Sequence, residues 1–163
     1  MSRPWIFFAA AILFCFSGIS FSLRANSQTI PSFKIKLSNN EIFNAADLPK
    51  DKPLVLIYFD PDCDHCQKLM TELFKKMNNF KNVEMVLVTF KSVTEIAAFE
   101  KKYKSSKYPN LRVGTEGTLF YLRNYYKLVK MPFTALYDSK GNYKYSYRDE
   151  TSVDDVIKRL GGL

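Results

Sequence analysis

Apolar and polar residues alternate over positions 32–37, as in a strand with one buried face, and the turn residues Ser38-Asn39-Asn40 follow. This pattern predicts a β-hairpin. A continuous apolar run at 53–59 has the β-branched and aromatic residues typical of a central strand that is covered on both faces. Apolar residues then recur every three or four positions and predict a helix packed on the sheet; they are Leu69, Met70, Leu73, Phe74 and Met77.

A second strand and helix follow the first. The stretch 83–90 has a strand pattern, and the spacing of apolar residues over 93–103 is helical. Strand–helix–strand order implies parallel pairing through a right-handed crossover. Residues 105–130 are aromatic and basic and less clearly patterned, with a helical stretch predicted around Thr118–Arg123.

The last third of the chain predicts a hairpin and a helix. Two short strands, 133–137 and 143–147, flank a turn that contains Gly141. A capping pattern at 151–154 starts an apolar stripe that Gly161 ends. The predicted order is two strands followed by β-α-β-α-β-β-α, which belongs to the α/β class.

Composition and the N-terminal pattern set the domain organisation. A chain of 163 residues that is 47% hydrophobic and 25% charged fits one globular domain. Arg3 precedes an uncharged apolar run at 5–23, and Ala25-Asn26-Ser27 follows it, as in a signal peptide cleaved after Ser27. The alternative is an uncleaved membrane anchor formed by residues 5–23. We therefore expect a leader or anchor at 1–27 and an exported, periplasmic domain at 28–163.

The net charge of +8 does not indicate a nucleic-acid partner. The lysines are scattered over predicted helix faces and turns and form no stripe with interleaved aromatic residues. They are interpreted as solvated surface, with a modest attraction to acidic partners or anionic membrane surfaces.

Three cysteines define the candidate chemistry. Cys15 lies in the leader, where the preceding Phe14 does not fit a lipoprotein signal, and it is interpreted as a small hydrophobic residue. Cys63 and Cys66 remain as a C-x-x-C pair between the first central strand and its helix. Thiolates are the reactive form of cysteine, and a helix N-terminus stabilises a thiolate at its first cysteine. Cys63 is therefore the predicted nucleophile and Cys66 the resolving thiol.

Other interpretations of the pair are less favoured. A structural zinc site needs four Cys or His ligands, and residues 28–163 contain two cysteines and one histidine. A purely structural disulfide at this spacing would close a very short loop. Haem attachment needs a histidine where Gln67 stands. We expect no metal and no cofactor.

The redox poise of the pair stays open at this point. A cationic His65 would favour the Cys63 thiolate and an oxidising couple, whereas the carboxylates of Asp60, Asp62 and Asp64 would disfavour the thiolate. The direction of electron flow does not follow from these residues alone.

The sequence resembles the thioredoxin superfamily, and within it the exported TlpA/ResA-type and redoxin-type members. The resemblance rests on the strand 54–59 leading into Cys63-Asp64-His65-Cys66, and on the block 131–138 followed by Lys140-Gly141. It implies a thioredoxin-like three-layer sandwich, a central mixed sheet with an added N-terminal β-hairpin. It also implies that Pro132 is the cis-proline facing the dithiol and that Met131 offers backbone hydrogen bonds to the substrate.

The expected substrate-binding residues are Met131, Asp62 and Asp64. His65 and Pro132 are expected to assist the two cysteines. The chain departs from thioredoxins at two positions: Asp62 replaces their tryptophan, and Ile57 replaces their buried aspartate. A buried carboxylate for proton transfer is therefore not expected at position 57.

The leading functional hypothesis is thiol–disulfide exchange on exported proteins. The predicted partners are protein thiols and disulfides, together with a membrane electron donor or acceptor. One alternative is a non-catalytic thioredoxin-like binding module for a partner's cysteine segment or a metal. Peroxide reduction ranks lower, because residues 61–63 do not fit the P-x-x-x-[T/S]-x-x-C motif of peroxiredoxins.

Overall fold

A seven-stranded mixed sheet forms the centre of residues 28–163, the part of the chain that the computed structural model describes. The predicted leader or anchor at 1–27 lies outside these residues. The strands are β1 Lys34–Leu37, β2 Ile42–Asn44, β3 Leu54–Tyr58, β4 Glu84–Thr89, β5 Leu111–Thr115, β6 Phe133–Tyr137 and β7 Tyr143–Arg148. The helices are α1 Asp64–Lys75, α2 Val93–Tyr103, α3 Tyr121–Tyr125 and α4 Val153–Leu160. Over 28–163, every helix is too short or too polar to cross a bilayer.

The strand order is β2-β1-β5-β4-β3-β6-β7. The three central strands β5, β4 and β3 are parallel, and β6 runs antiparallel to β3. Every residue of β3, β4 and β6 is buried, because helices or loops cover both faces of the sheet. The predicted central strands and both hairpins are confirmed.

Two apolar layers hold the sandwich together. On one face, α1, α2 and α4 cover a layer that includes Val55, Ile57, Phe59, Leu73, Phe99 and Val156. On the other, α3 and the N-terminal segment cover a layer that includes Phe33, Leu56, Tyr58, Leu122, Tyr126 and Phe133. This is the three-layer arrangement that the resemblance implied.

The prediction for residues 105–130 was incomplete, because it contained no strand. β5 lies there and pairs in parallel with β4 and antiparallel with β1, so that it joins the N-terminal hairpin to the sheet. Gly114 and the partly exposed Arg112 interrupt the apolar pattern of this strand. A Cβ on Gly114 would lie 2.8 Å from Ile35 Cδ1, so the glycine permits the close packing of β1 on β5. The predicted helix at 118–123 is broken by Phe120, whose φ is +48°, and α3 begins one residue later.

The first described residues bond to the turn between β6 and β7. Gln28 accepts a hydrogen bond from the backbone N–H of Tyr143 at 2.7 Å, and the N–H of Ile30 donates to Gly141 at 3.1 Å. Gly141 lies in the turn between β6 and β7, at the end of β6 opposite to Phe133.

Candidate active site: the Cys63–Cys66 dithiol

A tight turn after β3 positions the first cysteine. The carboxylate of Asp60 accepts a hydrogen bond from the N–H of Asp62 at 3.0 Å, and the carbonyl of Asp60 accepts one from the N–H of Cys63 at 3.1 Å. Cys63 is the N-cap residue of α1, with extended backbone (φ −85°, ψ 126°), and its carbonyl accepts the N–H of Gln67 at 2.9 Å. Cys63 thus stands where the unpaired N–H groups of the helix are concentrated.

The two thiols differ in accessibility. Both are free, with Cys63 partly exposed and Cys66 fully buried in the first turn of α1. The Cys66 sulfur accepts the N–H of Asp60 at 3.5 Å. Burial raises the pKa of Cys66 to about 12, and the neighbouring Cys63 thiol and Asp60 carboxylate add to this shift. One thiol therefore meets the solvent and the other is held protonated beneath it.

The proline that precedes β6 lies beside the dithiol. The Met131–Pro132 peptide bond is cis, and the carbonyl of Met131 accepts the thiol of Cys63 at 3.8 Å. Pro132 is buried, and its carbonyl accepts the N–H of Asp149 at 3.0 Å. The two segments on which the resemblance rested therefore meet at one edge of the sheet.

His65 lies on the exposed surface of α1. Its Nδ1 is 3.9 Å from the carboxylate of Asp149, which also accepts Lys130 Nζ at 2.7 Å. Asp149 has a φ of +76°, a conformation that is uncommon for a residue with a side chain. The sequence did not single out Asp149, because it follows β7 and meets His65 only in the folded chain.

The three aspartates near the dithiol have different surroundings. Lys91 Nζ lies 2.5 Å from the carboxylate of Asp62 and 3.5 Å from that of Asp60. Its hydrogen bond to Asp62 raises the pKa of Lys91 above the usual value, so the side chain stays cationic. Asp64 is exposed in the first turn of α1, where the helix N-terminus favours an anion.

Lys91 was missed by the sequence reasoning, although a signal for it existed. The residue follows β4, and the carboxyl ends of the parallel strands β3 and β4 lie at the same edge of the sheet. A charged side chain two residues after β4 is therefore expected near the turn that follows β3.

Position 57 carries no proton acceptor. Ile57 is 1% exposed and packs in the apolar layer on the α1 face. A buried carboxylate does occur beside β3, on the other face: Glu116 accepts the hydroxyl of Tyr58 at 2.7 Å and the N–H of Leu122 at 2.6 Å. Burial, followed by this hydrogen bond, raises the pKa of Tyr58 far above its ordinary value. The Glu116 carboxylate is thus bonded to β3 and to the start of α3.

Two grooves flank α1 beside the dithiol. One, of about 280 Å³, is lined by Pro61, Cys66, Met70, Phe99 and Tyr103 among others. The other, of about 270 Å³, is lined by His65, Leu69, Pro132, Asp149 and Ser152 among others. Within 28–163, no group of three or more His, Cys, Asp or Glu side chains converges as metal ligands would.

A free cysteine pair at the start of a helix, after a central strand and against a cis-proline, defines the class of this protein. It is a thioredoxin-fold dithiol protein, the class of the thiol–disulfide oxidoreductases. The chain belongs to the AhpC/TSA family, whose model matches residues 27–158. The resemblance to redoxin-type members of the thioredoxin superfamily is thereby confirmed.

Solved structures from several organisms share this fold. The chain is similar to a secreted disulfide oxidoreductase of Mycobacterium tuberculosis, with a TM-score of 0.67, 20% identity, and coverage of 81% of this chain and 96% of that one. It is similar to an exposed lipoprotein thioredoxin of Streptococcus pneumoniae strain TIGR4, with a TM-score of 0.63, 18% identity, and coverage of 82% and 100%. The mitochondrial 2-Cys peroxiredoxin of Plasmodium falciparum gives a TM-score of 0.66 at 15% identity, with coverage of 83% and 92%. At these identities the likeness concerns the fold.

A curated relative also matches a part of the chain. A probable protein disulfide-isomerase of Medicago sativa is 33% identical over 69 residues, which are 42% of this chain and 19% of that protein. The match therefore spans less than a quarter of that relative.

Proposed function

We propose that this protein is an enzyme of thiol–disulfide exchange, with Cys63 as the nucleophile and Cys66 as the resolving thiol. The observation that carries the proposal is the pairing of a partly exposed thiol, Cys63, with a buried one, Cys66, at the start of α1. The family membership and the partial likeness to a disulfide isomerase support it.

The exchange proceeds in two displacements that balance in electrons and protons. The Cys63 thiolate attacks one sulfur of the substrate disulfide, a mixed disulfide forms, and the other substrate sulfur leaves as a thiolate that takes up a proton. Cys66 then loses its proton and attacks the Cys63 sulfur, which releases the second substrate thiol. The substrate gains two electrons and the enzyme is left with a Cys63–Cys66 disulfide; the reverse sequence oxidises a substrate dithiol.

The residues around Cys63 supply the proposed substrate surface. A substrate cysteine that reaches the Cys63 sulfur comes beside the backbone of Met131, 3.8 Å from that sulfur, and beside Pro132. The exposed side chains of Asp62 and Asp64 flank the same point. We assign substrate contact to Met131, Asp62 and Asp64, and assistance of the thiols to His65 and Pro132.

We further propose that the substrates are exported proteins and that the domain acts in the periplasm. The apolar run at 5–23 and the small residues before Gln28 support export. The similar structures include a secreted oxidoreductase and an exposed lipoprotein, which agrees with export. A membrane protein that donates or accepts electrons would close the cycle.

Two cysteine variants of the full chain test the exchange chemistry. Cys63→Ser removes the nucleophile, so reduction of a disulfide-bonded test protein by dithiothreitol should lose its enzyme-dependent rate. Cys66→Ser leaves the nucleophile without its resolving partner, so mixed disulfides with the test protein should accumulate on a non-reducing gel.

Cys15→Ser is the matched control, because it removes a thiol outside the described domain and should leave the rate unchanged. A wild-type protein that never exchanges with a dithiol or a disulfide would exclude the enzyme and leave the binding module. Consumption of hydrogen peroxide without exchange would instead favour peroxide reduction.

A further inference from the structure

Asp60 and Asp62 belong to the turn that leads into the dithiol, and the charge of Asp60 contributes to the raised pKa of Cys66. Asp62 directly precedes Cys63, and the backbone N–H of Asp60 bonds the Cys66 sulfur at 3.5 Å. The reduced pair reacts as a thiolate, whereas the disulfide is neutral. Uncompensated carboxylates at this place would therefore stabilise the disulfide relative to the reduced form.

Lys91 lies against both of these carboxylates. Its Nζ is 2.5 Å from Asp62 and 3.5 Å from Asp60, and its side chain is 21% exposed. The carboxylate of Glu95, at 3.9 Å, is the third anion near this nitrogen. Lys91 and Asp60 are partly buried, so solvent screens their charges less than it screens the exposed carboxylate of Asp62.

We propose that Lys91 is a positioning residue that sets the reduction potential of the dithiol. It acts by neutralising Asp60 and Asp62, and so lowers the free energy needed to form the thiolate. This inference rests on the proposed exchange function and adds a determinant of its direction: the cation makes the couple more oxidising than the aspartates alone would.

The test is a redox titration of the full chain against glutathione and its disulfide. Lys91→Met should shift the equilibrium about tenfold toward the Cys63–Cys66 disulfide, since one neighbouring charge changes the ionisation of a group by about tenfold or more. For a two-electron couple, a tenfold change corresponds to about 30 mV, here toward a more negative potential. Lys91→Arg keeps the cation and should titrate like the wild type.

A second pair of variants separates charge from structure. Asp62→Asn combined with Lys91→Met removes one of the anions that the lysine neutralises, and the potential should return toward the wild-type value. Lys52→Met is the matched control, because Lys52 forms a 3.0 Å ion pair with Glu84 at the other end of β4. This control should leave the potential unchanged.

The outcomes distinguish the inference from the proposed function. An unchanged potential in Lys91→Met, an equal shift in Lys52→Met, or no recovery in the double variant would overturn the role of Lys91. The titration measures the protein's own thiols by mass, so it gives a result even if no protein substrate is exchanged. A failure of exchange would show only in the rate assay.

Discussion

At the scale of single residues, the two thiols of the C-x-x-C differ most in burial. Cys66 is inaccessible and has a pKa raised to about 12, so at neutral pH it remains a thiol. In a Cys15→Ser background, a brief treatment of the reduced native protein with iodoacetamide should therefore place one alkyl group, on Cys63. Peptide mass spectrometry identifies the labelled residue.

Cys63→Ser in the same Cys15→Ser background serves as the control for this labelling. The native variant should take up almost no label, whereas both proteins should be labelled completely at Cys66 in urea. Labelling of Cys66 in the native variant at the rate found in urea would contradict the burial of its sulfur.

The candidate cysteines could be located from the sequence because their pattern is local: a strand is followed by C-x-x-C and a helix. Pro132 was assigned by the family resemblance, since a proline at the start of a strand is ordinary by itself. Asp149 could not be identified in this way, because its partner His65 belongs to another element. Lys91 could be placed only through the parallel pairing of β3 and β4. In the sequence, the three aspartates are simply negative charges near the dithiol. The fold shows that Lys91 pairs with two of them, Asp60 and Asp62.

At the scale of elements, the connection from β5 to α3 depends on Glu116. Its side chain accepts the hydroxyl of Tyr58 and the backbone N–H groups of Leu122 and Arg123, and the residue is 6% exposed. Glu116→Ala leaves these donors unpaired and should lower the free energy of unfolding by about 3 kcal/mol. Urea unfolding followed by circular dichroism measures the loss.

Glu72 provides a matched control for the same substitution, because it is exposed on α1. Glu72→Ala should change the free energy of unfolding by less than about 0.5 kcal/mol. Equal effects of the two substitutions would show that the buried hydrogen bonds of Glu116 contribute little.

The same connection shows which elements the sequence could not predict. β3, β4 and α2 carry long runs of one periodicity, and the structure has them close to the predicted bounds. β5 is short and contains Gly114. The lack of a side chain at this glycine permits close packing against Ile35, which lies on β1. α3 has five residues and is stabilised at its start by the side chain of Glu116, so its own sequence does not define it.

At the scale of the whole molecule, three buried tyrosines and the half-buried Tyr147 make the fold sensitive to alkali. Burial raises the pKa of Tyr137 and that of Tyr147 to about 12, and it raises the pKa values of Tyr58 and Tyr126 further. In the unfolded chain these hydroxyls ionise near pH 10. The folded state therefore binds more protons above that pH, and its stability falls as the pH rises.

We expect the free energy of unfolding to be nearly constant from neutral pH to about pH 9 and to decline from about pH 10 to pH 12. Urea unfolding at several pH values measures this dependence. Tyr147→Phe removes one of the shifted groups and should make the decline less steep. A flat profile through pH 12 would contradict the burial of these hydroxyls.

The overall architecture was the most predictable level, because the α/β order follows from the alternation of strand and helix periodicity. The mixed sheet with helices on both faces is confirmed. Of its seven strands, β5 was the one that the prediction lacked. Pairing between β1 and β5 joins segments far apart in the chain, and no local pattern encodes such a contact.

The entry point of the chain has a consequence for orientation. Gln28 and Ile30 bond to the segment 141–143 at the edge of the sheet opposite to the dithiol. An anchor at 5–23 would therefore attach the domain at the end of the sheet opposite to Cys63, and the dithiol would lie away from the point of attachment.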